Sequence, residues 1–163
     1  MKIIVLSDTH GRVKEAVDII SACQRGLDLV IHLGDTVRDF EYIKSEFPEI
    51  PFLCVAGNND FLQNGFDKEI FINLDGTSVF LTHGHAYSVK STMDKLVFKA
   101  HEKDADLVLF GHTHVCEKFY FENVLFFNPG SLLNGNFGII HLTGGIIADA
   151  DFYTWDSFLK RIV

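Results

Sequence analysis

The chain has 163 residues, of which 47% are hydrophobic and 16 are Phe, enough for one domain with a sizeable buried core and too apolar for a disordered segment. Its apolar runs stop at about six residues, far short of the ~20 that span a bilayer, so no membrane partner is expected. A formal charge of −8, without a Lys/Arg cluster, disfavours long nucleic acid gripped along its backbone and leaves room for a small phosphorylated substrate.

Cys23, Cys54 and Cys116 are odd in number, widely spaced and form no C-x-x-C, as expected of reduced core residues. Asp8, His10 and Arg12 follow directly on the apolar Met1–Leu6, which leaves no signal-peptide core. The expected location is cytoplasmic.

In chain order, Lys2–Ser7 reads as an apolar strand ending at Asp8. Val13–Gln24 carries Val13, Ala16, Val17, Ile20 and Cys23 at helical spacing and stops at Gly26. Asp28–Leu33 is a second strand before Gly34-Asp35, Val37–Phe47 a short helix closed by Pro48, and Pro51–Ala56 a third strand before Gly57-Asn58. Near-continuous apolar strands alternating with helices indicate parallel pairing inside a covered sheet.

Glu69–Leu74 and Ser78–Thr82 then flank Asp75-Gly76, a hairpin signal. Val89–Lys103 reads as the longest helix, with Met93, Leu96, Val97 and Ala100 on one face, and Asp106–Phe110 as another buried strand. Hairpin pieces follow: Phe119–Phe121 with Leu125–Phe127, and Gly138–Leu142 with Ile146–Asp149 across Thr143-Gly144-Gly145. The expected fold is α/β, one domain over residues 1–163, a four-layer α/β/β/α sandwich of two mixed sheets flanked by helices.

Polar residues collect where these strands end: Ser7-Asp8-Thr9-His10, Gly34-Asp35, Gly57-Asn58-Asn59-Asp60, Thr82-His83-Gly84-His85 and Gly111-His112-Thr113-His114. Taken singly, the first three read as turn or capping residues. Residues i and i+2 of an extended chain share a side, so Asp8 with His10, if the chain stays extended past Ser7, could bind one ion. The pair His112 and His114 favours metal binding outright. Ligands of open α/β sheets gather outside the carboxyl ends of the strands, where all these residues fall, and so the separate turn readings become jointly improbable.

The ordered set D-x-H, G-D, G-N-x-[DE], H and G-H-x-H resembles the calcineurin-like metallophosphoesterase superfamily, over Lys2 to about Ser131 and including Asn128-Pro129-Gly130-Ser131. Within it the chain is similar to the small, cap-less bacterial and archaeal phosphodiesterases (the YfcE type). The resemblance implies one ion on Asp8, His10 and His114, a second on Asn58, His83 and His112, and Asp35 bridging both. Mixed oxygen and imidazole donors suit Mn²⁺, Fe, Zn²⁺, Ni²⁺ or Co²⁺ better than Ca²⁺, and Mn²⁺ is the ion expected. The implied reaction is hydrolysis of a phosphate ester by a hydroxide bridging two divalent ions, with Asn58 free to point its NH₂ at the phosphate.

Asn59 departs from the pattern. Many superfamily members carry His there and small ones often Cys, whereas Asn offers a hydrogen bond to phosphate but no proton. His85, two residues past His83, is the candidate acid, or else a supporting residue of the loop. His32 is expected to pack or hydrogen-bond beneath the site, with His101 and His141 outside it. Asp149 and Asp151 read as a solvated strand face. Phe119–Phe127 reads as core and strand-edge packing, with a homo-oligomer contact left open. Competing functions are a phosphomonoesterase, a nuclease, and a non-catalytic scaffold of the retromer-subunit kind. The pocket walls are assigned to the loops Val37–Asp39, Phe61–Asp67, Ala86–Lys90 and Leu132–Phe137.

Overall fold

Apolar strands buried on both faces organise the chain into two five-stranded mixed sheets in the computed structural model, which describes residues 1–60 and 65–162. The first sheet contains β1 (Lys2–Leu6), β2 (Leu29–His32), β3 (Phe52–Cys54), β9 (Asn136–Thr143) and β10 (Ile146–Thr154), in the order β10-β9-β1-β2-β3. The second contains β4 (Glu69–Leu74), β5 (Thr77–Thr82), β6 (Leu107–Leu109), β7 (Cys116–Phe121) and β8 (Val124–Pro129), in the order β4-β5-β6-β8-β7. β1, β2 and β3 are parallel, and so are β5, β6 and β8.

Alternation along β1 explains the layering. Ile3 and Val5 point inward to meet Leu81, Leu109 and Phe127 of the second sheet, while Ile4 and Leu6 point outward under helices α1 (Val13–Cys23) and α2 (Val37–Glu46). Helix α3 (Asp94–Glu102) covers the other sheet through Leu96 and Ala100 against Phe80, Val108 and Phe126. The four layers are the expected α/β/β/α sandwich.

The structure differs from the expectations at three places. Helix α3 starts at Asp94 and not Val89, because a 3₁₀ turn over His85–Tyr87 ends with Ser88 at φ 59° and the Thr92 hydroxyl accepts the Asp94 N–H at 3.2 Å. Strands β7, β9 and β10 are longer than their apolar cores: β7 and β10 are sheet edges, which tolerate polar residues, and β9 is prolonged by its pairing with β10. Helix α4 (Trp155–Ile162) was not among the expected elements, although Trp155, Phe158, Leu159 and Ile162 recur at helical spacing; its Phe158 stands edge-on to Phe137 at 5.3 Å. Thr154 and Ser157 start it through reciprocal hydrogen bonds, the Ser157 N–H donating to Thr154 Oγ1 at 3.3 Å. Of the expected pocket walls, Phe61–Asn64 lie outside the described residues. No helix among the described residues is long and apolar enough to cross a membrane.

Candidate metal centre

Parallel strands of both sheets deliver their following loops to one end of the sandwich. The loops interlock there: Gly111 N–H donates to His83 O at 3.1 Å, His112 N–H to Asp8 Oδ2 at 3.2 Å, and Asp8 N–H to Gly34 O at 3.0 Å.

The backbone at these loops is left-handed. Asp8 (φ 51°), His10 (φ 41°), Asp35 (φ 59°), His112 (φ 70°) and His114 (φ 60°) all adopt a conformation that costs a side-chain-bearing residue about 1–3 kcal/mol. The expectation that Asp8 and His10 share an ion through an extended chain is therefore corrected. Successive tight kinks bring them together, and kinks at His112 and His114 turn the first toward His83 and the second toward His10 and Asp8. Glycine is required beside them: a Cβ on Gly34 would come within 2.6 Å of Gly57 N, and one on Gly111 would collide with Ser7 Oγ.

Two carboxylates that the sequence reading left out of the site hold these kinks. Buried Asp60 accepts the backbone N–H groups of Gly57 (2.8 Å), Asp35 (3.0 Å), Thr36 (2.9 Å) and Val37 (2.9 Å), binding the loop after β3 to the loop after β2. Asp39 Oδ2 accepts from Thr9 Oγ1 (2.8 Å), Gly11 N (2.7 Å) and Thr36 Oγ1 (2.7 Å), joining the loop of His10 to that of Asp35. Asn128 donates to Gly111 O (3.0 Å) and Thr113 Oγ1 (2.9 Å), and Ser131 Oγ to Asp8 O (2.9 Å). Asp60 closes the Gly57-Asn58-Asn59-Asp60 motif, where it was visible only as a turn residue; Asp39 was visible only as the end of an expected pocket wall.

Side chains of Asp8, His10 and His114 form one group with donor atoms within 4.8 Å of one another, and Asp8, Asp35 and His83 form a second. His114 Nε2 lies 3.0 Å from Asp8 Oδ1, and His83 Nε2 lies 3.9 Å from that same oxygen. Asp35 faces both sides, Oδ1 lying 3.5 Å from His83 Nε2 and Oδ2 3.9 Å from His10 Nε2. Asn58 Oδ1 is 3.2 Å from His83 Nε2. The ring of His112 lies 5.0 Å from that of His83, outside both groups.

Two atoms show that these residues fit a cation. Asp8 Oδ1 is buried yet accepts no hydrogen bond, an arrangement that costs several kcal/mol unless a positive charge sits against it. His83 points Nδ1 at Leu33 O (2.7 Å), which fixes the proton on that nitrogen and turns Nε2 toward three acceptor oxygens, those of Asp8, Asp35 and Asn58. With its Nδ1 proton so directed, the ring has Nε2 available to a metal ion, which would be shared with these oxygens. Burial, then the neighbouring His83, lowers the pKa of His112 to about 4, so its ring is neutral at neutral pH, the form that ligates a metal.

The residues expected to face substrate are placed differently. Asn59 donates through Nδ2 to Asp35 Oδ2 (2.7 Å) and through its backbone N–H to Asp35 Oδ1 (3.0 Å), so its amide braces that carboxylate instead of reaching phosphate. The Asn58 NH₂ points at Asn59 Oδ1 (3.3 Å). His85 is half-buried, with its ring 5.4 Å from His83 and 6.2 Å from His112. Burial, then His83, lowers its pKa, which weakens it as a general acid. His32 lies beneath the site as expected, Nδ1 accepting from Gly34 N at 3.2 Å and Nε2 standing 3.3 Å from Thr9 Oγ1. His101 pairs with Glu122 at 3.6 Å, away from the centre, and Asp149 and Asp151 are exposed on β10.

Residues 1–145 match the family model of the calcineurin-like phosphoesterase superfamily domain. A probable metallophosphoesterase of Bacillus subtilis is 31% identical over 132 residues, 81% of this chain and 75% of its own. A phosphodiesterase of Methanocaldococcus jannaschii is 31% identical over 146 residues, 80% of this chain and 83% of its own. Among solved structures, a predicted phosphoesterase of Streptococcus pneumoniae superposes with a TM-score of 0.81 at 27% identity, covering 96% of this chain and 90% of that one. Zinc-bound Vps29 of Entamoeba histolytica shares the fold at 18% identity, with a TM-score of 0.74 over 95% of this chain and 99% of its own. The match over residues 1–145, with these relatives, places the chain in the calcineurin-like phosphoesterase superfamily, whose members use divalent metals.

Proposed function

We propose that the protein is a cytoplasmic phosphodiesterase of two divalent ions, most readily Mn²⁺, acting on a small phosphorylated substrate. The observation that carries this reading is the buried, unbonded Asp8 Oδ1 facing the imidazoles of His114 and His83. Asp8, His10 and His114 would hold the first ion and Asn58, His83 and His112 the second, with Asp35, which has an oxygen toward each side, shared between them. Bound there, the ions would lower the pKa of water and draw charge from the phosphoryl oxygens.

The chain's own residues do the rest. Left-handed loops held by Asp60 and Asp39 fix the ligands before substrate arrives, so little reorganisation is needed during reaction. Asn59, bonded to Asp35, keeps that carboxylate aimed and gives no proton, and neutral His85 is a poor donor. The enzyme therefore favours diesters with good leaving groups. All seven ligand positions keep their donor atoms, which favours the enzyme over a scaffold on the same fold.

Purified protein with Mn²⁺ is expected to hydrolyse bis(p-nitrophenyl) phosphate, and EDTA to abolish the activity. Folded protein inert with Mn²⁺, Fe²⁺, Zn²⁺, Ni²⁺ and Co²⁺ alike contradicts the reading.

A further inference from the structure

A groove of about 560 Å³ runs between helices α1 and α2 and begins beside the loop that carries His10. Asp39 connects the two: it lines the groove and bonds Thr9 and Gly11, the neighbours of His10. The size is that of a small-ligand site.

The groove has chemical polarity along its length. Lys14 and Arg38 are the second residues of their helices and stand at the end nearest the metal centre. Among the described residues neither makes a hydrogen bond or ion pair, in a chain whose formal charge is −8. Val13 and Val17 form a half-buried apolar wall, and Tyr42 lies opposite on α2, 57% exposed. Glu46 closes the far end, eight residues and so about 12 Å along the helix from Arg38. All three hydrogen bonds of the Asp39 side chain go to Oδ2, which leaves Oδ1 as an acceptor on the groove wall.

We propose that this groove binds one arm of the phosphodiester, and that this arm is a nucleoside phosphate. Lys14 and Arg38 take its phosphate, Asp39 Oδ1 accepts a sugar hydroxyl, the base lies between the Val13–Val17 wall and Tyr42, and Glu46 accepts an amino group of the base. Charge complementarity selects this occupant. An apolar ligand would leave both cations unmatched, and an inorganic anion would leave the aromatic shelf unused. The groove's part in catalysis rests on the phosphodiesterase reading, whereas its capacity to bind does not.

The test is NMR titration of the full chain with ADP in the presence of EDTA, which reads binding without turnover. Shifts centred on Val13, Lys14, Val17, Arg38 and Tyr42 are expected, with weaker binding of adenosine and of inorganic phosphate. Lys14→Ala with Arg38→Ala should weaken ADP about five- to tenfold, the sum of two exposed ion pairs, and Tyr42→Ala about threefold. Added salt should loosen ADP in wild type and have little effect in the double variant. Shifts located elsewhere, no binding below about 5 mM, or a double variant that binds ADP as wild type does would each overturn the proposal. Turnover of bis(p-nitrophenyl) phosphate, measured separately, reports on the phosphodiesterase reading alone.

Discussion

The two sheets contribute unlike halves to the centre. Loops of the first sheet bring Asp8, His10, Asp35 and Asn58, every oxygen ligand of the proposed set, and Asp39 and Asp60 tie these loops together through seven hydrogen bonds. Loops of the second sheet bring only imidazoles: His83, buried and fixed by Leu33 O, and the half-exposed His112 and His114. The first half is cross-linked through carboxylates, whereas the second is held by backbone bonds and by Asn128. Anionic loops facing one another repel, so the carboxylate half needs the denser bracing.

The largest expected effect follows from cutting that bracing. Asp60→Ala strands four N–H groups, three of them buried, and should destabilise the fold by about 3 kcal/mol or more, read by urea unfolding in EDTA; a loss below 1 kcal/mol would show that water replaces the carboxylate readily. Next comes the split between ligands. Asp35→Ala should empty both ion positions, while His114→Ala should weaken the first by more than about 100-fold and largely spare the second, as followed by metal content and calorimetry. Full occupancy of both positions in Asp35→Ala would remove the bridge from the account.

Acid should act on the first half through His32. Burial lowers its pKa to about 4 from 6.5, so the unfolded chain binds its proton first as pH falls. The stability contributed by this residue is present above pH 6.5 and is lost between there and about pH 4, by roughly 3 kcal/mol. His32→Gln should flatten the unfolding free energy across that window, and an unchanged slope would assign the acid sensitivity to other groups. The smallest effect belongs to Asn59→His, which should speed alkyl diesters more than aryl ones; the reverse order in kcat would argue against a missing acid.

Legibility in the sequence also divides along physical lines. Apolar runs such as Ile3–Leu6 and Leu107–Phe110 announce buried strands because burial on both faces permits nothing else. Ligand residues at their ends were readable as a set, since parallel strands put loop after loop at one edge. Backbone handedness was not readable: Asp8 and His10 look extended as D-x-H and lie at φ 51° and 41°. Long-range bracing was equally hidden, because Asp39 and Asp60 act on loops far away in sequence and resemble ordinary helix and turn residues. Helix α4 carries Trp155, Phe158, Leu159 and Ile162 at helical spacing, a signal too short to stand out after the strand that runs directly into it.

Anomalous scattering from Mn²⁺-soaked crystals tests the central claim most directly. The account predicts two peaks about 3.5–4 Å apart, one against Asp8, His10 and His114, the other against Asn58, His83 and His112, with Asp35 touching both. A single peak, or two peaks with Asp35 touching only one, would contradict it.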